Sequence, residues 1–298
     1  MDPQLRQAAI ALYDRFTHEG LDRRIFMARM VALAGSVAAA EALIGAIAAS
    51  PAVAAIVPED DPRLVTNFLG FGGYDGVPSY RMYVAKPRGP RTARPSVLVI
   101  HENRGLNAHI RDVARRLALE GFNAVAPDLL SRLGGTPANE DEAREKIGKL
   151  DLAAVVQDVV QLSQYVSRFY VAGHNLGNGK VGAVGFCWGG GFVNRLAVAG
   201  ADKLNAGVSY YGPAPDPSEA SRVHSALMIH DAGLDDRVNR TSFPWVEALR
   251  SAKKPVSFYL YEGVNHAFNN DTSAERYNKA AADLAWTRTV EFLKQHLA

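Results

Sequence analysis

A chain of 298 residues that is 48% hydrophobic is long enough to bury a large core, so one large domain, or one domain with an appendage, is the expectation. Its 33 basic and 31 acidic side chains leave a formal charge of +2, and no basic run is interleaved with aromatics, which argues against a nucleic-acid partner. The single cysteine excludes an intramolecular disulfide and a multi-thiolate zinc site, and the eight histidines show neither HExxH nor His-x-His spacing, so no metal or cofactor is expected.

Residues 1–60 read differently from the rest. "LRQAAIALYDRF" has the period of an amphipathic helix. Arg23-Arg24, Phe26 and an Ala-rich apolar stretch then resemble a twin-arginine export signal, with small residues near Ala52 and Ala54 at the place of a cleavage site. Glu41 inside that stretch argues against both a signal and a membrane span. The expectation is a retained helical arm packed on the body of a cytoplasmic protein, able to serve in homo-oligomerisation. Export to the periplasm is the alternative.

From residue 61 to 298 the pattern is that of one α/β domain. "LVTNFLGFGG" and "SYRMYVAKP" predict an opening antiparallel pair. Six apolar runs follow: "SVLVIHE", "FNAVAPDL", "KVGAVGF", "NAGVSYYG", "ALMIHDAG" and "VSFYLYEG". Helical patterns lie between most of them, at 107–120, roughly 140–168, 189–199, 240–252 and 274–296. Alternation of this kind predicts a mostly parallel, twisted sheet covered by helices on both faces.

Ligands of such sheets bind beyond the carboxyl ends of the strands. Glu102, Asn103 and Arg104 follow one strand run, Asp128 and Arg132 another, and Cys187 a third. Asp231 and Asp235 follow "ALMI", and His266 follows the last run. Gly185-Phe186-Cys187-Trp188-Gly189 fits a strand-to-helix nucleophile elbow, where small neighbours let the chain bend and the helix N-terminus favours thiolate. The competing reading of these residues is a tight structural crossing with an inert, buried thiol. The N–H groups of Trp188 and Asn103 are the expected oxyanion donors. The chain order nucleophile, acid, histidine points to Cys187, Asp235 and His266, with Asp231 and Asp236 as competitors for the acid. On this reading, hydrolysis fades as the pH falls far enough to protonate His266. Glu102 is either part of the site or a strand-end ion pair with Arg104 or Arg111.

The stretches "VIHENRGLNAHIRDVARRLALEGFNAVAPDLLSR", "GAVGFCWGGGF", "GLDDRV" and "NHAF" resemble the dienelactone hydrolase (carboxymethylenebutenolidase) family of α/β-hydrolases, over about residue 64 to the C-terminus. The resemblance implies an α/β-hydrolase fold, a Cys187–His266–Asp235 triad and a Glu102 that holds the resting thiol. It also implies a carboxylate-binding role for Arg132. The second arginine of that clamp falls at Asn270 here, and Arg104 is the candidate to supply the missing charge. Tyr211 is expected to wall the pocket. The implied activity is hydrolysis of a small ester or enol-lactone through an acyl-enzyme, without cofactor. A general esterase or thioesterase, or a non-catalytic scaffold, is the alternative.

Overall fold

A computed structural model of the chain describes residues 2–48, 55–73, 78–90, 92–168, 170–171, 174–175, 177–200 and 204–298. Three helices come first: α1 (Pro3–His18), α2 (Arg23–Ala34) and α3 (Val37–Ile47). Each is capped by a side chain that accepts backbone N–H bonds of the first turn: Asp2, Asp22 and Ser36 in turn. Gly35, with φ of 83°, ends α2 in the left-handed conformation. The helices share a small core of Ala9, Ile10, Tyr13, Phe26, Met30, Leu43 and Ile47, to which Phe16 adds a stacked contact with Phe26 at 4.2 Å. No single helix among the described residues is long and apolar enough to cross a membrane; α2 and α3 reach that length only as a pair bent by 105°.

The sheet strands are β1 (Leu64–Phe71), β2 (Tyr80–Pro87), β3 (Arg94–Ile100), β4 (Asn123–Pro127), β7 (Gly177–Phe186), β8 (Ala206–Tyr210), β9 (Ala226–Ala232) and β10 (Val256–Tyr261). A separate two-residue pair, β5 (Tyr170–Val171) and β6 (His174–Asn175), lies between β4 and β7 in the chain. The eight strands run in the order β1-β2-β4-β3-β7-β8-β9-β10, antiparallel at β1/β2 and β2/β4 and parallel from β4 onward. This is the α/β-hydrolase arrangement.

Helices α4 (Ala108–Leu119) and α9 (Lys279–Leu297) cover one face, and α6 (Leu152–Arg168), α7 (Trp188–Ala199) and α8 (Asp236–Ser251) the other. β4, β8 and β9 are buried throughout, and β3 and β7 over their C-terminal parts, because both faces of the sheet are covered there. The helical pattern at 140–168 is two helices, α5 (Glu140–Gly148) and α6, separated where the Asp151 carboxylate accepts the Ala154 N–H at 3.1 Å and starts the second. α8 begins at Asp236 rather than 240 because Asp235 caps it through the Val238 N–H. α9 begins at Lys279 rather than 274, capped by Asn278.

Candidate active site

Cys187 follows β7 directly and is the residue before α7, with φ 55° and ψ −118°. A non-glycine residue holds such a conformation only when its surroundings enforce it. Here the Cys187 N–H is fixed to the Tyr210 carbonyl at 2.9 Å, and the Cys187 carbonyl accepts from Gly191 at 3.1 Å. The flanking glycines are a steric requirement. A Cβ on Gly185 would lie 2.1 Å from the Gly189 carbonyl oxygen, and one on Gly189 would lie 2.5 Å from the carbonyls of Ile100 and His101. The thiol therefore stands where β7 turns into α7, over the first N–H groups of that helix.

His266 follows β10, and its Nδ1 lies 2.5 Å from Oδ2 of Asp235, which follows β9. Of the three candidate acids, Asp235 is the one that holds this histidine. Asp231 is fully buried, with its pKa raised to about 7 by desolvation, and Asp236 is exposed in the first turn of α8. Among the described residues, His266 Nε2 is buried without a hydrogen-bond partner, and a ring nitrogen of His266 lies within 4.8 Å of the Cys187 Sγ. Burial pushes the His266 pKa down, but the negative charges of Asp235 and Cys187 outweigh it and raise it to about 10. The surroundings of His266 thus favour its charged form.

The folded-state value lies above the usual 6.5, so charged His266 contributes stability that is complete below about pH 6.5 and lost as the pH rises through about 10. Melting temperatures of wild type and His266→Gln are expected to differ most below about pH 6.5 and to converge above about pH 10. A gap independent of pH up to about 11 would contradict the charged pair.

Glu102, just after β3, is 5% exposed and accepts a 2.9 Å bond from Nδ2 of Asn270. The residue at the position of the second clamp arginine therefore binds the very glutamate of the site. Asn270 is itself fixed by Thr272, whose N–H and hydroxyl both donate to Oδ1. Neither arginine proposed as Glu102's ion-pair partner touches it: Arg111 pairs with Glu59 at 2.9 Å, and Arg104 is held between Glu140 and the Tyr13 hydroxyl. Arg132 bonds Asp158 at 2.6 Å and the Tyr80 hydroxyl at 3.0 Å, on the α6 side of the sheet. Its guanidinium is committed there.

Asn103 follows Glu102, and its side chain donates to the Thr17 carbonyl at 3.3 Å. Trp188 opens α7, its indole stacked on His101 at 5.6 Å. His101 is a core residue with both nitrogens used: Nδ1 is 2.7 Å from the Glu102 carbonyl, and Nε2 accepts the Leu129 N–H at 3.2 Å. It fixes the backbone on which Glu102 and Asn103 stand. Tyr211 lies against His266 at 5.0 Å between ring centres and is fully buried, with its hydroxyl unpartnered; burial, then the charges of Glu102 and Cys187, raise its pKa well above the ordinary value.

The structure also brings in a residue that sequence reasoning missed. His18, the last residue of α1, places its ring nitrogens 3.9 and 4.0 Å from Cys187 Sγ and its ring 4.8 Å from that of His266. Nothing in its local sequence marks it, because only the docking of α1 on the body puts it there.

The dienelactone hydrolase family model matches residues 80–297. A protein of Escherichia coli (strain K12), provisionally named a carboxymethylenebutenolidase, is 31% identical over 264 residues, which cover 84% of this chain and 94% of that one. A protein of Saccharolobus solfataricus with the same provisional name is 30% identical over 253 residues, 72% of this chain and 93% of its own. The crystal structure of a Klebsiella pneumoniae protein, provisionally described as a dienelactone hydrolase, superposes with a TM-score of 0.67 at 26% identity, over 78% of this chain and 99% of that one. Since the matched segment runs from β2 through α9, the chain belongs to the dienelactone hydrolase family, hydrolases of the α/β-hydrolase fold that act on lactones and esters.

Proposed function

We propose that the protein hydrolyses a carboxylic ester or enol-lactone with Cys187 as nucleophile, His266 as proton carrier and Asp235 as the group that orients it. The observation that carries this reading is the pairing of a thiol on a strained elbow with a histidine whose Nδ1 is fixed by Asp235 at 2.5 Å and whose Nε2 is left without a partner. The Cys187 thiolate attacks the carbonyl carbon and forms an S–C bond. The N–H groups of Trp188 and Asn103 donate hydrogen bonds to the negatively charged carbonyl oxygen. As the C–O bond breaks, the leaving oxygen takes a proton from His266, and a thioester remains on the enzyme. Water then attacks the thioester, gives its proton to His266 and releases the acid and the thiolate. Glu102, held by Asn270, stands at the rim of this site as the candidate group that tunes the thiol.

The substrate we propose is electrically neutral. The two guanidiniums expected to hold a substrate carboxylate are neutralised within the protein, Arg132 by Asp158 and Arg104 by Glu140, and the position of the family's second arginine is Asn270. A bidentate arginine is what anchors a carboxylate. Neutral lactones and p-nitrophenyl esters are therefore expected to exceed dienelactone, which carries a free carboxylate, by about tenfold or more in kcat/KM. Steady-state kinetics on that panel test the reading. Dienelactone as the better substrate would reassign one of these arginines to the pocket.

A further inference from the structure

We propose that helices α1–α3 form a lid over the active site, with His18 occupying the space above Cys187 that a substrate's acyl group must enter. The lid rests on the assignment of Cys187 as the reacting group. The three helices lie ahead of residues 80–297, the part of the chain that the family model matches.

Three observations support closure. The reacting groups are out of solvent's reach, with Cys187 4% and His266 2% exposed. The His18 ring contacts both of them. Its two nitrogens are almost equally far from the sulfur, at 3.9 and 4.0 Å. Were one nitrogen aimed at Sγ, the other would be much farther away, so the ring lies against the sulfur with neither nitrogen directed at it. The same geometry disfavours reading His18, Cys187 and His266 as a metal site, although their donor atoms lie within 4.8 Å.

The character of the seam then suggests that the lid opens. The apolar core of α1–α3 is made of residues from that segment alone. Among the described residues, contacts to the body are polar or cation–π, with Arg144 over the Phe16 ring at 4.2 Å and Arg276 over the Tyr13 ring at 5.2 Å. Arg6 pairs with Glu275 at 2.6 Å, Asp14 with Arg276 at 3.3 Å and Gln7 with Asn265 at 2.8 Å. The Ile47 carbonyl accepts from Ser273 at 2.6 Å, and the Tyr13 hydroxyl meets Arg104. Polar groups exchange such partners for water at small net cost, whereas an apolar seam would expose its surface on parting. A cavity of about 330 Å³ already lies in the seam, lined in part by Tyr13, Phe16, Met27, Arg104 and Glu140.

Because Cys187 is the chain's one cysteine, alkylation by iodoacetamide reads lid opening directly and needs no turnover. Rates are compared after extrapolation to the fully ionised thiol from a pH series, and melting curves confirm that each full-length variant is folded. Arg6→Ala combined with Asp14→Ala is expected to label about tenfold faster than wild type, the factor that ~1.4 kcal/mol of lost closure energy gives. His18→Ala should also label faster, while His18→Phe, which keeps the bulk and loses the nitrogens, should stay as slow as wild type. Wild-type rates in the double variant, or equal rates in His18→Phe and His18→Ala, would overturn the lid. Faster labelling together with lower kcat/KM on small esters in the double variant would overturn it as well, by making the segment a working part of the site. An inactive enzyme with these labelling differences intact would count against the hydrolytic assignment of Cys187 and leave the lid standing.

Discussion

Replacing Cys187 with alanine should lower ester hydrolysis by on the order of 10⁴-fold or more, because the reaction loses the atom that bonds the acyl group. The fold should survive. The elbow is held by the bonds of Cys187 N to Tyr210 and of Gly191 N to the Cys187 carbonyl, and neither involves the side chain. Alanine carries the same Cβ into the same backbone at φ 55°, so the strain is unchanged. Steady-state rates beside a thermal melt check both halves of this expectation. A variant that keeps within about tenfold of wild-type activity would return the thiol to a structural role in a tight crossing.

Asp235→Asn should be the second largest loss, roughly 10³- to 10⁴-fold in kcat with KM little changed. Asp235 accepts from His266 Nδ1, which leaves Nε2 free to carry protons toward Cys187. An asparagine turned to donate at Nδ1 selects the other tautomer and takes that nitrogen out of use. Asparagine still caps α8 as aspartate does through the Val238 N–H, so the change separates chemistry from stability. Asp231→Asn is the matching control. Asp231 does not touch His266, and its burial already favours the neutral form, so that variant should stay within about threefold of wild type in kcat. If Asp231→Asn were instead the more damaging change, the acid would have been assigned to the wrong carboxylate.

The sheet was legible because each parallel strand is an apolar run closed by Gly, Pro or a polar residue, and covered strands leave no other pattern. The residues that end those runs are the ones gathered at one edge: Glu102 after β3, Cys187 after β7, Asp235 after β9 and His266 after β10. What could not be read is partner choice. Arg132 and Arg104 look like free cations in sequence, yet Asp158 on α6 and Glu140 on α5 engage them in the fold. Asn270 looked like a loss, since it stands where a guanidinium was expected, and it proves to hold Glu102 by a neutral hydrogen bond. His18 lay beyond reach for another reason. Helical periodicity predicts α1 but says nothing about which distant surface its end meets, and that docking is fixed by pairs such as Arg6–Glu275, 269 positions apart.

The central claim is that sulfur carries the acyl group. A p-nitrophenyl ester mixed rapidly with the full-length protein should release a burst of about one p-nitrophenol per chain before the steady rate, as expected of an acyl-enzyme that accumulates. Acid-quenched samples from the same mixing should show the chain heavier by one acyl group, located on the peptide that contains Cys187. Steady turnover with neither a burst nor an adduct at any quench time, and with activity retained in Cys187→Ala, would contradict the account.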